Sequence, residues 1–213
     1  MLTFASKELS AAEAYKLLVG VVVPRPIAWI TTLDGRGRVN AAPFSCYTFV
    51  CSQPPMLAVN LGRRDGALKD TARNLRERGS FVVNVVTEAL IGPMHQSSSE
   101  YPPEISEPAL LGIELAPSKL VEPPRIAASP AALECRLERF IELGELKSGL
   151  VIGEVVAFNI SEAIYAEGRI DIRKFRPLAR LGGPNYAQLG EIITMPSVGN
   201  PGPTETGRKA TPS

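Results

Sequence analysis

Residues 24–45 read Pro24-Arg25-Pro26-Ile27-Ala28-Trp29-Ile30-Thr31-Thr32-Leu33-Asp34-Gly35-Arg36-Gly37-Arg38-Val39-Asn40-Ala41-Ala42-Pro43-Phe44-Ser45. Residues 26–33 are rich in β-branched and aromatic side chains, the composition of a strand. Asp34-Gly35 then offers the positive-φ turn that joins antiparallel neighbours, so a hairpin returns through Arg38 to Pro43.

Outward from this hairpin, residues 44–51, 56–62 and 81–86 are further strand candidates, each bounded by Pro, Gly or Asn. Between the last two, Leu68, Ala72 and Leu75 recur at helical spacing and Gly79 closes the segment, which predicts a helix. Over 133–143, Leu133, Cys135, Leu137, Ile141 and Leu143 share one parity, while Glu134, Arg136, Glu138 and Glu142 share the other, a strand period of two. Over 150–160 the alternation repeats with Ile152, Val156, Phe158 and Ile160 aligned, and residues 144–149 supply the turn. Six or seven short strands with few helices predict a mainly β fold, closed as a small antiparallel barrel with flanking helices.

Ser10 with Glu13 three residues on forms a capping box for a short helix over 10–18. The proline-rich stretch 93–130 reads as surface connections with one short strand near 110–115, too polar and broken for a second core. One domain is expected over 1–190, followed by a flexible tail over 191–213 with little to bury.

Composition narrows the function. The 213 residues, 45% hydrophobic, suit one ordinary domain and exclude two large ones. Lys and Arg total 23 against 22 Asp and Glu, a net charge of +1, without the basic surplus of a nucleic-acid binder. One histidine, His95, and three cysteines are too few for a His- or Cys-rich metal site, so no metal is expected. The N-terminal residues lack a secretory pattern, and the apolar run 17–23 stops at Pro24, so a cytoplasmic protein with no membrane span is expected. An odd cysteine count fits reduced thiols.

Charge is nevertheless concentrated. Residues 62–78 hold Arg63, Arg64, Lys69, Arg73, Arg76 and Arg78 against Asp65, Asp70 and Glu77, a local +3. Lys69-Asp70-Thr71 falls at the start of the predicted helix, where free N–H groups and the helix dipole favour an anion. Arg63 and Lys69 could close a cage around one phosphate; the alternative is a basic helix face with Asp70 as its cap. A second feature is Asn40-Ala41-Ala42-Pro43-Phe44-Ser45, whose small residues and proline leave backbone open to a flat ligand; the alternative is an empty strand junction. Cys46 and Cys51 read as small buried hydrophobes, with a redox role beside the loop as the alternative, and Cys135 reads as core. His95 reads as solvent-facing or locally bonded, with a place at the border of a cleft as the other option.

The order of these motifs, Pro24-Arg25-Pro26 through Thr31-Thr32, Asp34-Gly35, 40–45, Pro54-Pro55, Arg63, Lys69-Asp70-Thr71, Asn74 and Phe81-Val82-Val83-Asn84, resembles the flavin reductase-like, FMN-binding split-barrel family. The resemblance continues more weakly through Pro123-Pro124-Arg125-Ile126 and Glu134-Cys135 to Leu181-Gly182-Gly183-Pro184-Asn185-Tyr186. It implies a Greek-key split β-barrel of FMN-binding type that forms a homodimer with FMN near the interface. It further implies that Arg63, Lys69, Asp70 and Thr71 hold the phosphate. Thr31, Thr32 and the backbone of Asn40, Ala41, Ala42, Pro43, Phe44 and Ser45 would line the ribityl chain and ring, with Tyr186 as a late contact and Trp29 in packing. The flavin would carry the chemistry, so no catalytic side chain is required. The implied activity is an NAD(P)H:flavin reductase feeding free flavin, a partner monooxygenase or another small acceptor. No Gly-x-Gly-x-x-Gly fingerprint marks a Rossmann pocket for NAD(P)H, so the alternative is an FMN-binding electron carrier of the flavoredoxin type.

Overall fold

A computed structural model describes residues 1–196. From residue 197 onward the expected tail lies outside the described residues; 191–196 carry no regular structure.

The expected hairpin forms. Strand β1 (Ala28–Leu33) pairs with β2 (Val39–Phe44), Ala28 lying opposite Phe44 and Leu33 opposite Val39. The turn differs in one respect: its left-handed residue is Gly37, at φ 78°, not Gly35. The Asp34 carboxylate accepts the amides of Arg36 and Arg38 at 2.9 and 2.8 Å, folding 34–36 into an Asx-type turn that passes the positive φ to Gly37.

Strands β3 (Tyr47–Ser52), β4 (Pro55–Asn60), β5 (Ser80–Val85), β6 (Ala131–Leu143) and β7 (Ser148–Ile160) complete an antiparallel sheet of seven, in the order β2-β1-β5-β6-β7-β4-β3. Its two edge strands are consecutive in the chain, joined only by Ser45 and Cys46. Two residues cannot span an open sheet of this width, so the sheet curls until its edges meet at that corner. There the Asn60 amide donates to Cys46 O at 2.8 Å. No ladder joins β2 to β3 among the described residues, and the barrel is split along this seam. The open edge of β2 is covered by side chains: Ser106 Oγ donates to Val39 O at 2.6 Å, and the Ala41 amide donates to Glu107 Oε2 at 2.9 Å.

Alternation along β1 feeds two cores. Ala28 and Ile30 enter the barrel with Leu57, Val59, Phe81, Val83 and Val151. Ile27 and Trp29 face outward into a second cluster with Val86, Met94, Ile126 and Leu178. Trp29 is fully buried, and its Nε1 donates to Ser97 Oγ at 3.0 Å. Residues 93–130 thus help to build a second core through Met94 and Ile126, contrary to expectation. The strand expected near 110–115 is instead helical at Glu107–Leu111, ended by left-handed Gly112, with only Leu115–Ala116 extended. The capped N-terminal helix α1 (Ala11–Val21) has its capping box and runs three residues beyond expectation.

The period of two in β6 breaks at bulges between Glu134 and Cys135 and between Leu137 and Arg139. Glu134, expected on the solvent parity, is therefore buried beside Cys135. In β7 the face carrying Ile152 and Phe158 points away from the barrel, while Val151, Gly153 and Val155 face it. A Cβ on Gly153 would stand 2.5 Å from the Phe81 ring, so glycine admits that ring to the core. Cys135 is buried as expected and burial pushes its thiol up. Cys46 is exposed, contrary to expectation, because it sits on the corner between the edge strands, and Cys51 is half-buried.

Helix α2 (Asp70–Arg78) ends at left-handed Gly79, whose amide donates to Leu75 O. It docks on the first hairpin through Ala72 and Leu75 and through two buried side-chain hydrogen bonds. Asn40 Nδ2 donates to Thr71 Oγ1, and Asn74 Nδ2 donates to Thr32 Oγ1, both at 3.0 Å. Among the described residues no helix is long and apolar enough to cross a membrane.

Removing one partner of a buried pair strands the other, at about 1–3 kcal/mol. Asn74→Ala is therefore expected to lower Tm by roughly 2–4 °C for each kcal/mol lost, measured by thermal unfolding; an unchanged Tm contradicts the docking role. Glu134 supplies a pH test. Burial alone would raise its carboxyl pKa, but hydrogen bonds from Lys119 N, Asn159 Nδ2 and Leu120 N outweigh it and hold the group below the ordinary 4.5. Because the folded value is the lower one, the stabilisation is complete above the ordinary value and is lost as pH falls through the folded value. Glu134→Gln is expected to be less stable at neutral pH and to lose less on acidification, as read by urea unfolding between pH 3 and 7.

Candidate functional site

The site grows from the start of α2. Lys69 occupies the cap position in extended backbone, and no side chain caps the helix. The expected alternative of Asp70 as cap is excluded: Asp70 is the first helical residue, and its carboxylate bonds Arg73 instead. The N–H groups of Asp70, Thr71 and Ala72 precede the first helical hydrogen bond, from Arg73 N to Lys69 O at 3.0 Å, and carry the positive end of the dipole. Lys69 is half-buried and forms no ion pair among the described residues; burial, and next the Arg64 charge, push its ammonium pKa down. A cation in that position gains from an arriving dianion.

Lys69 also links the two halves of the expected site. Its Nζ lies 5.6 Å from the Phe44 ring centroid, so the helix start meets the corner at Pro43, Phe44 and Ser45. These three residues line an open cleft of about 300 Å³ together with Tyr186, Arg25 and Arg180. Tyr186 is thus brought to the corner from far along the chain. Ala42 is half-buried on the same strand.

Other expected residues take supporting positions. Thr31 and Thr32 are fully buried. The Thr31 hydroxyl donates to Pro124 O at 2.6 Å, and that of Thr32 accepts from Asn74. Both stand in the interior, since β1 is covered on both faces. Asn40 donates to Thr71 Oγ1, whose own O–H is not used in that bond, and Ala41 is buried with its amide on Glu107. Arg63 donates to Lys147 O at 2.6 Å, to Gly66 O at 3.0 Å and to the Glu142 carboxylate. It chiefly ties the hairpin of 63–68 to the β6–β7 turn, leaving two of its five N–H groups.

Three residues at the cleft were not singled out as site residues by the sequence. Arg25 and Arg180 are register partners of a short ladder, and no local pattern announces a pair so distant in sequence. His95 is exposed and its Nδ1 lies 2.8 Å from Tyr186 Oη, so it borders the cleft as well as being locally bonded.

Geometry of this kind suits a flat ring carrying a phosphate: an uncapped helix start with a partly desolvated lysine for the anion, and a backbone-rich corner for the ring. The family described as "Flavin reductase like domain" matches residues 21–178. The chain belongs to the flavin reductase-like family. Its relatives include YwrF, an uncharacterized protein of Bacillus subtilis (strain 168), 42% identical over 201 residues that cover 92% of this chain and 98% of the relative. Among solved structures it is similar to nitrilotriacetate monooxygenase component B from Bacillus cereus, at 36% identity and TM-score 0.89, covering 92% of this chain and 98% of that one. A protein with a split barrel domain from Shewanella frigidimarina NCIMB 400 superposes with TM-score 0.80 over 93% of this chain and 100% of that one. At 19% identity this is a likeness of fold. The split-barrel expectation holds.

If Lys69 is the principal charge on the phosphate, Lys69→Met weakens FMN binding at least tenfold and leaves riboflavin, which has no phosphate, unaffected. Flavin fluorescence quenching measures both, with circular dichroism as the control for folding. Equal losses for the two flavins contradict the assignment.

Proposed function

We propose that the protein is an FMN-dependent oxidoreductase that takes electrons from NAD(P)H and passes them to free flavin, a partner monooxygenase or another small acceptor. The observation that carries this reading is the half-buried Lys69, in no ion pair among the described residues, at an uncapped helix start beside the Phe44 corner, in a chain of the flavin reductase-like family. Bound flavin supplies the hydride-accepting ring. The chain supplies the rest. Lys69, the amides of 70–72 and the spare donors of Arg63 hold the phosphate, while Pro43, Phe44 and Ser45 orient the ring at the corner. The relative named as a monooxygenase component supports an acceptor of that kind.

A homodimer belongs to the same proposal. Helix α1 has no buried residue and exposes Tyr15, Leu18 and Val21, and edge strand β3 exposes Phe49 and Val50. Apolar side chains left exposed on both elements suit a second copy as cover.

Adding NADH or NADPH anaerobically to the FMN-loaded protein is expected to bleach the flavin absorbance, and light scattering is expected to give twice the chain mass. If a reduced ferredoxin bleaches the flavin and neither nicotinamide does, the reductase reading fails and an electron carrier of the flavoredoxin type replaces it.

A further inference from the structure

The cleft that Tyr186 shares with the corner has a charge that flavin phosphate binding does not use. Its lining contains no aspartate or glutamate but two arginines, Arg25 and Arg180, directly opposite each other in register. Arg25 is 7% exposed. Its guanidinium donates to Val19 O at 2.8 Å, Val22 O, Leu181 O at 2.8 Å and Ser45 Oγ. All four acceptors are neutral, and Arg25 has no carboxylate within ion-pair distance among the described residues. A buried cation whose hydrogen bonds are satisfied but whose charge is not stabilises an anion nearby.

Arg180 supplies the fork. It is half-buried, its NH1 donates to Tyr186 Oη, and its guanidinium carbon lies 4.6 Å from the centroid of that ring. The hydrogen bond and the ring contact anchor the guanidinium and leave four N–H donors, and a guanidinium fork with free donors receives a carboxylate through two parallel bonds. Tyr15, Phe44 and Tyr186 give the walls aromatic surface. A volume of about 300 Å³ accepts one substituted ring and is too small for a dinucleotide; it stands at the lower end of ligand clefts. The groups assigned to the phosphate lie elsewhere, whereas Pro43, Phe44 and Ser45, assigned to the edge of the flavin ring, line this cleft as well.

We infer that this cleft binds a small aromatic carboxylate through Arg180, in the field of Arg25. The inference deepens the proposed function, on which it rests for its meaning: beside the corner that orients the flavin ring, such an anion is the second substrate of the site.

The chain has a single histidine, and it touches Tyr186. The His95 imidazole resonance is therefore a lone reporter on the cleft. Benzoate titrated into the FMN-loaded protein is expected to shift this resonance saturably without releasing FMN, and benzamide, its neutral isostere, to bind at least tenfold more weakly. Arg180→Gln is expected to abolish that discrimination, and Arg180→Lys to retain part of it. The comparison of benzoate with benzamide on the unaltered protein decides the matter even if the variants fail to fold. Equal binding of the two, no shift at His95, or expulsion of FMN by benzoate overturns the inference, the last by showing the cleft to be the flavin's own seat. If the protein binds no FMN, the flavin reading falls, and the same titration on the flavin-free protein still decides the cleft.

Discussion

Two buried hydrogen bonds, Asn40 to Thr71 and Asn74 to Thr32, set where helix α2 begins relative to the first hairpin. Hydrophobic contact through Ala72 and Leu75 draws the helix onto the barrel, but non-directional burial fixes neither its rotation nor its axial position. Directional bonds between side chains removed from water do both, since sliding the helix by one residue would leave four polar groups unpaired. Everything proposed for the anion depends on this placement. It brings Lys69 to the Phe44 corner and leaves the first helical amides free of any side-chain cap.

The corner is the second constraint. The two edges of a seven-stranded sheet are joined by two residues, so the chain closes the barrel and at the same place stops pairing. The backbone interruption that a ligand can use is thus a consequence of closure. Buried carboxylates hold the surroundings in shape without taking part: Glu107 covers the edge of β2, and Glu134 gathers the amides of 119 and 120. Among the described residues, Lys69, Arg25 and Arg180 take part in no ion pair.

Much of this was legible in the sequence because it depends on local rules. The strands of the first hairpin, the capping box of Ser10 and Glu13, and the helix of Ala72 and Leu75 with its glycine stop follow from periodicity and capping chemistry, although Leu68, expected in that helix, lies in the short hairpin before it. The motif order indicated the family. Less legible were features decided by tertiary contact. That Thr31 and Thr32 lie buried follows from the position of β1 between two cores, which no local pattern announces. The parity of β6 fails because bulges change its phase, and Arg63 looks free until the β6–β7 turn supplies its acceptors. Arg25 and Arg180 meet only through a short ladder between distant segments, which no spacing in the sequence encodes.

The central claim is that the start of α2 receives the phosphate of the flavin. Amide hydrogen exchange at Asp70, Thr71 and Ala72, compared for the free protein, the FMN-loaded protein and the protein with riboflavin, tests it most directly. The account predicts that FMN slows exchange at these three amides and that riboflavin leaves them as in the free protein. Protection by both flavins alike, or by FMN only at positions away from this turn, contradicts it.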